Sequence, residues 1–95
     1  MTNSDASKDW TFLSNHGHVL VQINRDPHIR IRDLAREVGI TERRAQAIIA
    51  DLAESGYITI HKSGRQNFYE VNAKLKFRHP REAGKPISSL LNIFK

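Results

Sequence analysis

Ninety-five residues with 39% apolar side chains suffice for one small domain with a modest core. The absence of cysteine excludes a disulfide framework, a thiolate metal site and a cysteine nucleophile. Fifteen Lys and Arg against ten Asp and Glu give a net charge of +5, a balance that suits polyanionic partners without naming one.

Residues 1–8 are polar and small and read as a disordered tail. Trp10, Phe12 and Leu13 then anchor the chain, with the two larger rings expected to close the core or an interface. Ser14 is an N-cap for a helix that runs through Val19, Leu20 and Ile23 to about Asn24. Gly17 costs this helix about 1 kcal/mol relative to alanine, so tertiary packing or a close backbone must compensate. Asp26-Pro27 ends it, because the residue before proline is pushed out of helical space. His28 to Arg30 reads as short and extended, with room for a few ladder bonds.

The stretch from Ile31 to Lys62 carries most of the information. Ile31, Leu34, Ala35 and Val38 fall at i, i+3, i+4 and i+7, one apolar stripe on a short helix over about 32–38. Gly39 stands where a left-handed residue commonly closes a helix. Ile40 plugs the corner, and Thr41 caps a second helix over 42–55 with the stripe Ala45, Ile48, Ile49 and Leu52. Gly56 closes that helix. Two stripes joined by so tight a turn must cross steeply around a shared core, which is a helix-turn-helix with one face of its second helix left free.

Tyr57 to Lys62 is rich in β-branched residues and reads as a strand. Ser63 to Asn67 supplies turn chemistry, and Phe68 to Val71 the returning strand, with Tyr69 expected to pack the hairpin on the second helix of the motif. Charge is uneven here. From Ile60 to Arg81 the six basic residues Lys62, Arg65, Lys74, Lys76, Arg78 and Arg81 face one acid, Glu70. Beyond Asn72 the chain is basic and irregular. A final segment begins at Pro86, where Ile87, Leu90, Leu91 and Phe94 repeat the helical spacing.

Residues Ile31 to Thr41, Leu52 to Ile58 and Gly64 to Tyr69 together resemble the MarR-like and ArsR-like winged helix-turn-helix regulators of bacteria and archaea, over roughly Val19 to Val71. The resemblance implies an α+β fold, mainly α, with a three-helix core, a small β-hairpin wing and a short C-terminal helix. It divides the chain into a tail at 1–8, a winged-helix domain at 9–73 and a basic extension at 74–95. A metal sensor of the ArsR type is not implied, since the cysteine motif is missing. A full MarR-type regulator has further helices at both ends, of which the short C-terminal segment is the counterpart here.

What the resemblance implies about function is sequence-specific binding of double-stranded DNA by a transcriptional regulator, and the limited affinity of one domain of this size implies a homodimer. The recognition helix, 41–55, would enter the major groove, and the basic wing, 60–71, would lie on the backbone or in the minor groove. Arg43, Arg44 and Gln46 are the expected base readers and Thr41 a phosphate contact, although Thr41 serves as a helix cap in any case. Ala47 and Ala50 share that face and offer only methyl contacts. Lys62, Arg65, Gln66 and Asn67 form the wing tip, while Arg30 and Arg32 would meet phosphates at the start of the preceding helix. The first helix and the stripe of Ile87, Leu90, Leu91 and Phe94 are the candidate dimer interface, unless the stripe folds back on its own domain.

Two competing readings remain: a winged-helix protein-interaction module, and a sequence-tolerant architectural or RNA-binding module, to which the bland Ala47 and Ala50 lend support. No metal is expected, because His16 and His18 are two apart and fall on different helix faces, and His28, His61 and His79 lack partners at ligand spacing. There is no Gly-rich phosphate loop, nucleophile elbow or paired-carboxylate pattern, so no enzyme, cofactor or small-molecule effector is expected. No apolar run approaches the roughly 18 residues that cross a bilayer, and nothing resembles a signal peptide. A cytoplasmic protein is the expectation.

Overall fold

The structure, a computed structural model, describes residues 10–95, so the expected tail at 1–8 lies outside the described residues. The elements run α1 (Asn15–Arg25), α2 (Ile31–Val38), α3 (Glu42–Glu54), β1 (Ile58–Ser63), β2 (Gln66–Val71) and α4 (Ile87–Ile93). This is the mainly helical α+β arrangement of a winged helix, with the two strands paired in one antiparallel hairpin.

Local chemistry accounts for the element ends. The Ser14 hydroxyl accepts a hydrogen bond from the Gly17 N–H at 3.1 Å and so caps α1. Asp26 leaves the helix at φ −139°, ψ 87°, as its position before Pro27 requires. No neighbouring backbone approaches Gly17; a Cβ there would first meet the Leu13 Cβ at 3.4 Å, so packing holds this helix. Gly39 closes α2 at φ 85°, and its N–H and that of Ile40 both bond the Ala35 carbonyl, at 2.8 and 2.9 Å. Thr41 then caps α3, its hydroxyl accepting from the Arg44 N–H at 3.0 Å.

The core follows the stripes. Val19, Leu20 and Ile23 of α1, Leu34 and Ala35 of α2, and Ala45, Ile48, Ile49 and Leu52 of α3 are all buried, joined by Tyr57, Ile58 and Tyr69 from the hairpin. Ile31, Val38 and Ile40 pack at its margin.

Two expectations are corrected. His28 to Arg30 forms no strand: the connection is a turn in which the Asp26 carbonyl and carboxylate accept from the Ile29 and His28 N–H groups. Pro27 and His28 reach the hairpin, the Pro27 carbonyl accepting from the Tyr69 N–H at 3.0 Å and the His28 ring stacking on Phe68. Tyr69 is buried in the core that α1 and α3 share. The strand continuing directly from α3 is β1, so β1 lies against α3, while β2 with Tyr69 lies against α1. Trp10 and Phe12, finally, do not close the core; Leu13 alone of that group packs against it.

The C-terminal stripe folds back. Ile87 and Leu91 are buried in the common core, Leu90 and Phe94 pack at its edge, and α4 lies on α1. Arg25 fastens the end by donating from Nε to the Phe94 carbonyl at 2.8 Å. The segment leading to α4 is equally bound in: Leu75 and Phe77 pack on the core, and the Tyr57 hydroxyl donates to the Lys76 carbonyl at 2.7 Å. Ser88 and Ile87 donate to the carbonyls of Ala73 and Leu75.

Candidate nucleic-acid interface

A helix that spends one face on the core has the opposite face to offer. On α3, up to the buried Leu52, the residues other than the buried Ala45, Ile48 and Ile49 are Glu42, Arg43, Arg44, Gln46, Ala47, Ala50 and Asp51, and all seven are exposed. Among the described residues, no side-chain hydrogen bond or ion pair engages Arg43, Arg44 or Gln46. Their donors are free for a ligand. The Thr41 hydroxyl, in contrast, is occupied as an acceptor by the cap, and only its own proton remains to give.

The hairpin is narrower at its tip than expected. Strand pairing continues to Ser63↔Gln66, leaving Gly64 and Arg65 as a two-residue turn. Gly64 has φ 65°, and among the described residues none other than glycine has positive φ, so the turn has the glycine-first form that suits a tight hairpin. Arg65 is thereby placed at the apex. The remaining wing residues divide by the two-residue period of a strand. Lys62 and its partner Asn67 share the face of Ile60 and Tyr69, while Gln66 shares the other with His61 and Phe68. All four predicted wing residues are exposed, but they do not form one surface. Asn67 sits beside the Tyr69 phenol, whose pKa burial pushes above the ordinary tyrosine value while Asn67 partly offsets the shift.

Arg30 occupies the N-cap position of α2 and Arg32 its first turn, and both are exposed. Of the candidate interface stripe, Ile87 and Leu91 are consumed within their own domain, leaving only Leu90 and Phe94 partly open.

Sequence reasoning missed three groupings that only the fold assembles. His16 on α1 meets Asp51 on α3 at 2.8 Å, tying the first helix to the rear of the recognition helix. His61 meets Glu70 across the hairpin at 3.1 Å. Phe68 is stacked between His28 and His61, with ring centroids 5.1 and 4.9 Å away. The cross-strand pairs were legible once the register was known; the 35-residue separation of His16 and Asp51 leaves no local signal. No group of three or more metal-ligating side chains occurs among the described residues, and no helix of the described residues is long and apolar enough to cross a membrane.

Comparison with known proteins agrees with this geometry. Residues 14–59 match the family model described as winged helix-turn-helix DNA-binding. The match ends within β1, so the returning strand and α4 are seen only in the structure. The solution NMR structure of protein BT2368 from Bacteroides thetaiotaomicron is similar, with TM-score 0.55 and 20% identity over 68% of this chain and 84% of that one. The crystal structure of the zinc-dependent MarR family transcriptional regulator AdcR in its Zn(II)-bound state gives TM-score 0.49 and 18% identity, over 68% of this chain. This chain spans 47% of AdcR's length. At such identities the likeness to BT2368 is one of fold. No curated protein matches the chain.

Proposed function

We propose that the chain is a double-stranded-DNA-binding transcriptional regulator, acting as a homodimer and without catalytic activity. The observation that carries the reading is the exposed face of α3, where Arg43, Arg44 and Gln46 stand with no intramolecular partner beside a short turn. Arginine pairs with the two acceptors of guanine and glutamine with adenine, which suits these three residues to base edges in the major groove. Arg65 at the hairpin apex, with Lys62, reaches the phosphate backbone, and Gln66 and Asn67 flank it. Arg30 and Arg32 flank the start of α2, where free N–H groups and the helix dipole already favour an anion. Thr41 contributes its hydroxyl proton to a phosphate while keeping its cap. A dimer presents two such domains to two half-sites, which raises affinity by effective concentration.

A second reading has one observation in its favour. Ala47 and Ala50 occupy the middle of the exposed face with methyl groups alone. A sequence-tolerant architectural binder would carry such a face.

Selection of bound sites from random duplex DNA, at a stated physiological salt, separates the two. An enriched motif, with half-sites about ten base pairs apart, is the expected result. Binding without enrichment would replace the regulator by the architectural reading. No binding would overturn both and direct attention to protein partners.

A further inference from the structure

The side chains just before α1 are the wrong ones to leave in water. Trp10 is 67% and Phe12 94% exposed, and the two rings meet edge to face with centroids 5.2 Å apart and planes at 84°. Large exposed apolar groups standing together mark an interaction surface more often than singly scattered ones do. Beside them opens a groove of about 660 Å³. Leu13 just before α1, Leu20 of α1, Leu52 of α3, Phe77 of the segment leading to α4 and Leu90 of α4 form its apolar walls, and Gly17 deepens it by having no side chain. Phe12 stands on the rim of this groove yet remains almost wholly exposed.

We propose that the groove receives Trp10 and Phe12 of a second copy of the chain, and that the reciprocal exchange builds a two-fold dimer. The chemistry is self-complementary: an aromatic arm and an apolar acceptor adjoin on one surface. A two-fold axis beside them satisfies both copies at once, each arm filling the other's groove. A foreign partner would have to bring both an arm and a groove of its own to cover the same surface.

The areas agree with this occupant. An aromatic side chain buries about 150–250 Å², so the exposed parts of four rings amount to roughly 500–800 Å². The groove walls they cover add a smaller area, for a total of about 900–1,200 Å², the size of a weak, reversible association. The arrangement also leaves the DNA-facing surface free. The groove touches α3 at Asp51, Leu52 and Ser55, whereas Arg43, Arg44 and Gln46 lie at its other end. At 1.5 Å per residue the two regions are separated by about 10 Å along the helix.

This surface rests on the dimeric reading above, and its test distinguishes the two. Trp10 is the sole tryptophan of the chain, so its emission reports the arm directly. The full chain is studied without DNA by sedimentation velocity over a concentration series, with tryptophan emission and acrylamide quenching measured on the same samples. The expected result is a monomer–dimer equilibrium in which emission moves to the blue and quenching falls in step with dimerisation. Phe12→Asp and, independently, Leu90→Lys should raise the dissociation constant on the order of 30-fold or more, as loss of a central anchor does. Phe12 makes no core contact, so its substitution decides the matter even if Leu90→Lys fails to fold. A monomer at every concentration overturns the surface and the dimer together. A dimer that survives Phe12→Asp with Trp10 still freely quenched overturns this surface alone, as does blue-shifted emission already present in the monomer.

Discussion

Alanine in place of Gly39 and alanine in place of Gly17 are the same chemical change with opposite expected signs. Gly39 sits at φ 85°, between α2 and α3, and a Cβ built there meets nothing within 4 Å. The cost of Gly39→Ala is thus conformational and not steric, about 1–2 kcal/mol for a left-handed L-residue. Alanine also restricts the unfolded chain, which returns about 0.4–1 kcal/mol, so the net loss is about 0.5–1.5 kcal/mol. For a domain of this size each kcal/mol moves Tm by about 4–8 °C, giving a fall of roughly 2–12 °C. Gly17 has no positive φ and lies in the first turn of α1, where its added Cβ would touch Leu13 at 3.4 Å. Gly17→Ala should raise stability by up to about 1 kcal/mol, the helix-propensity difference. Thermal and urea unfolding of both variants, followed by far-ultraviolet circular dichroism, measures the pair. A Gly39→Ala protein as stable as the wild type would refute the conformational cost assigned to a left-handed L-residue at this corner. A destabilised Gly17→Ala protein would show that the 3.4 Å approach to Leu13 outweighs propensity.

Three further outcomes are expected. Arg43→Ala and Gln46→Ala should each relax base preference at one position by about 1–3 kcal/mol, whereas Arg65→Ala should weaken all sequences alike and lower the salt slope by about 1; salt-dependent binding to specific and random duplex checks this, and uniform loss for Arg43→Ala removes it as a base reader. Tyr57→Phe takes away the half-buried 2.7 Å bond to the Lys76 carbonyl and should cost about 1–3 kcal/mol in urea unfolding, since it leaves an acceptor unsatisfied. Tyr69 has its pKa raised by burial, so its contribution is complete below the unfolded tyrosine value of about 10 and is lost as pH rises through the higher folded value. Alkaline unfolding should therefore be blunted in Tyr69→Phe, and an unchanged alkaline limb in that variant would contradict the assignment.

The helix-turn-helix was legible residue by residue because its signals are local. Gly39, Thr41 and the two apolar stripes are a few positions apart, so periodicity and capping alone placed α2 and α3 to within a residue at each end. The exposed residues of α3 followed by subtraction, since what is not buried on a short helix must face out. The wing was legible as a hairpin but not as a surface. Its turn was expected over 63–67, and pairing instead runs on to Ser63↔Gln66, which puts Arg65 at the apex and splits Lys62 and Asn67 from Gln66. Each residue of register reverses the face, and turn composition does not specify register that finely.

Sequence alone determined which segments are amphipathic, where each helix starts and stops, and which side of the recognition helix is left over. Those properties arise from neighbours three or four residues apart, within reach of a single turn. Only the tertiary structure decided what the spare apolar surface is used for. The stripe at Ile87, Leu90, Leu91 and Phe94 suited a partner or its own core equally well, and it folds back because α1 and Leu75 bind it there. Trp10 and Phe12 had the composition of core residues and were left outside it, once Leu13 and α4 had covered α1. Such choices depend on which segments arrive at one place from distant parts of the chain, and a periodic pattern carries no record of that.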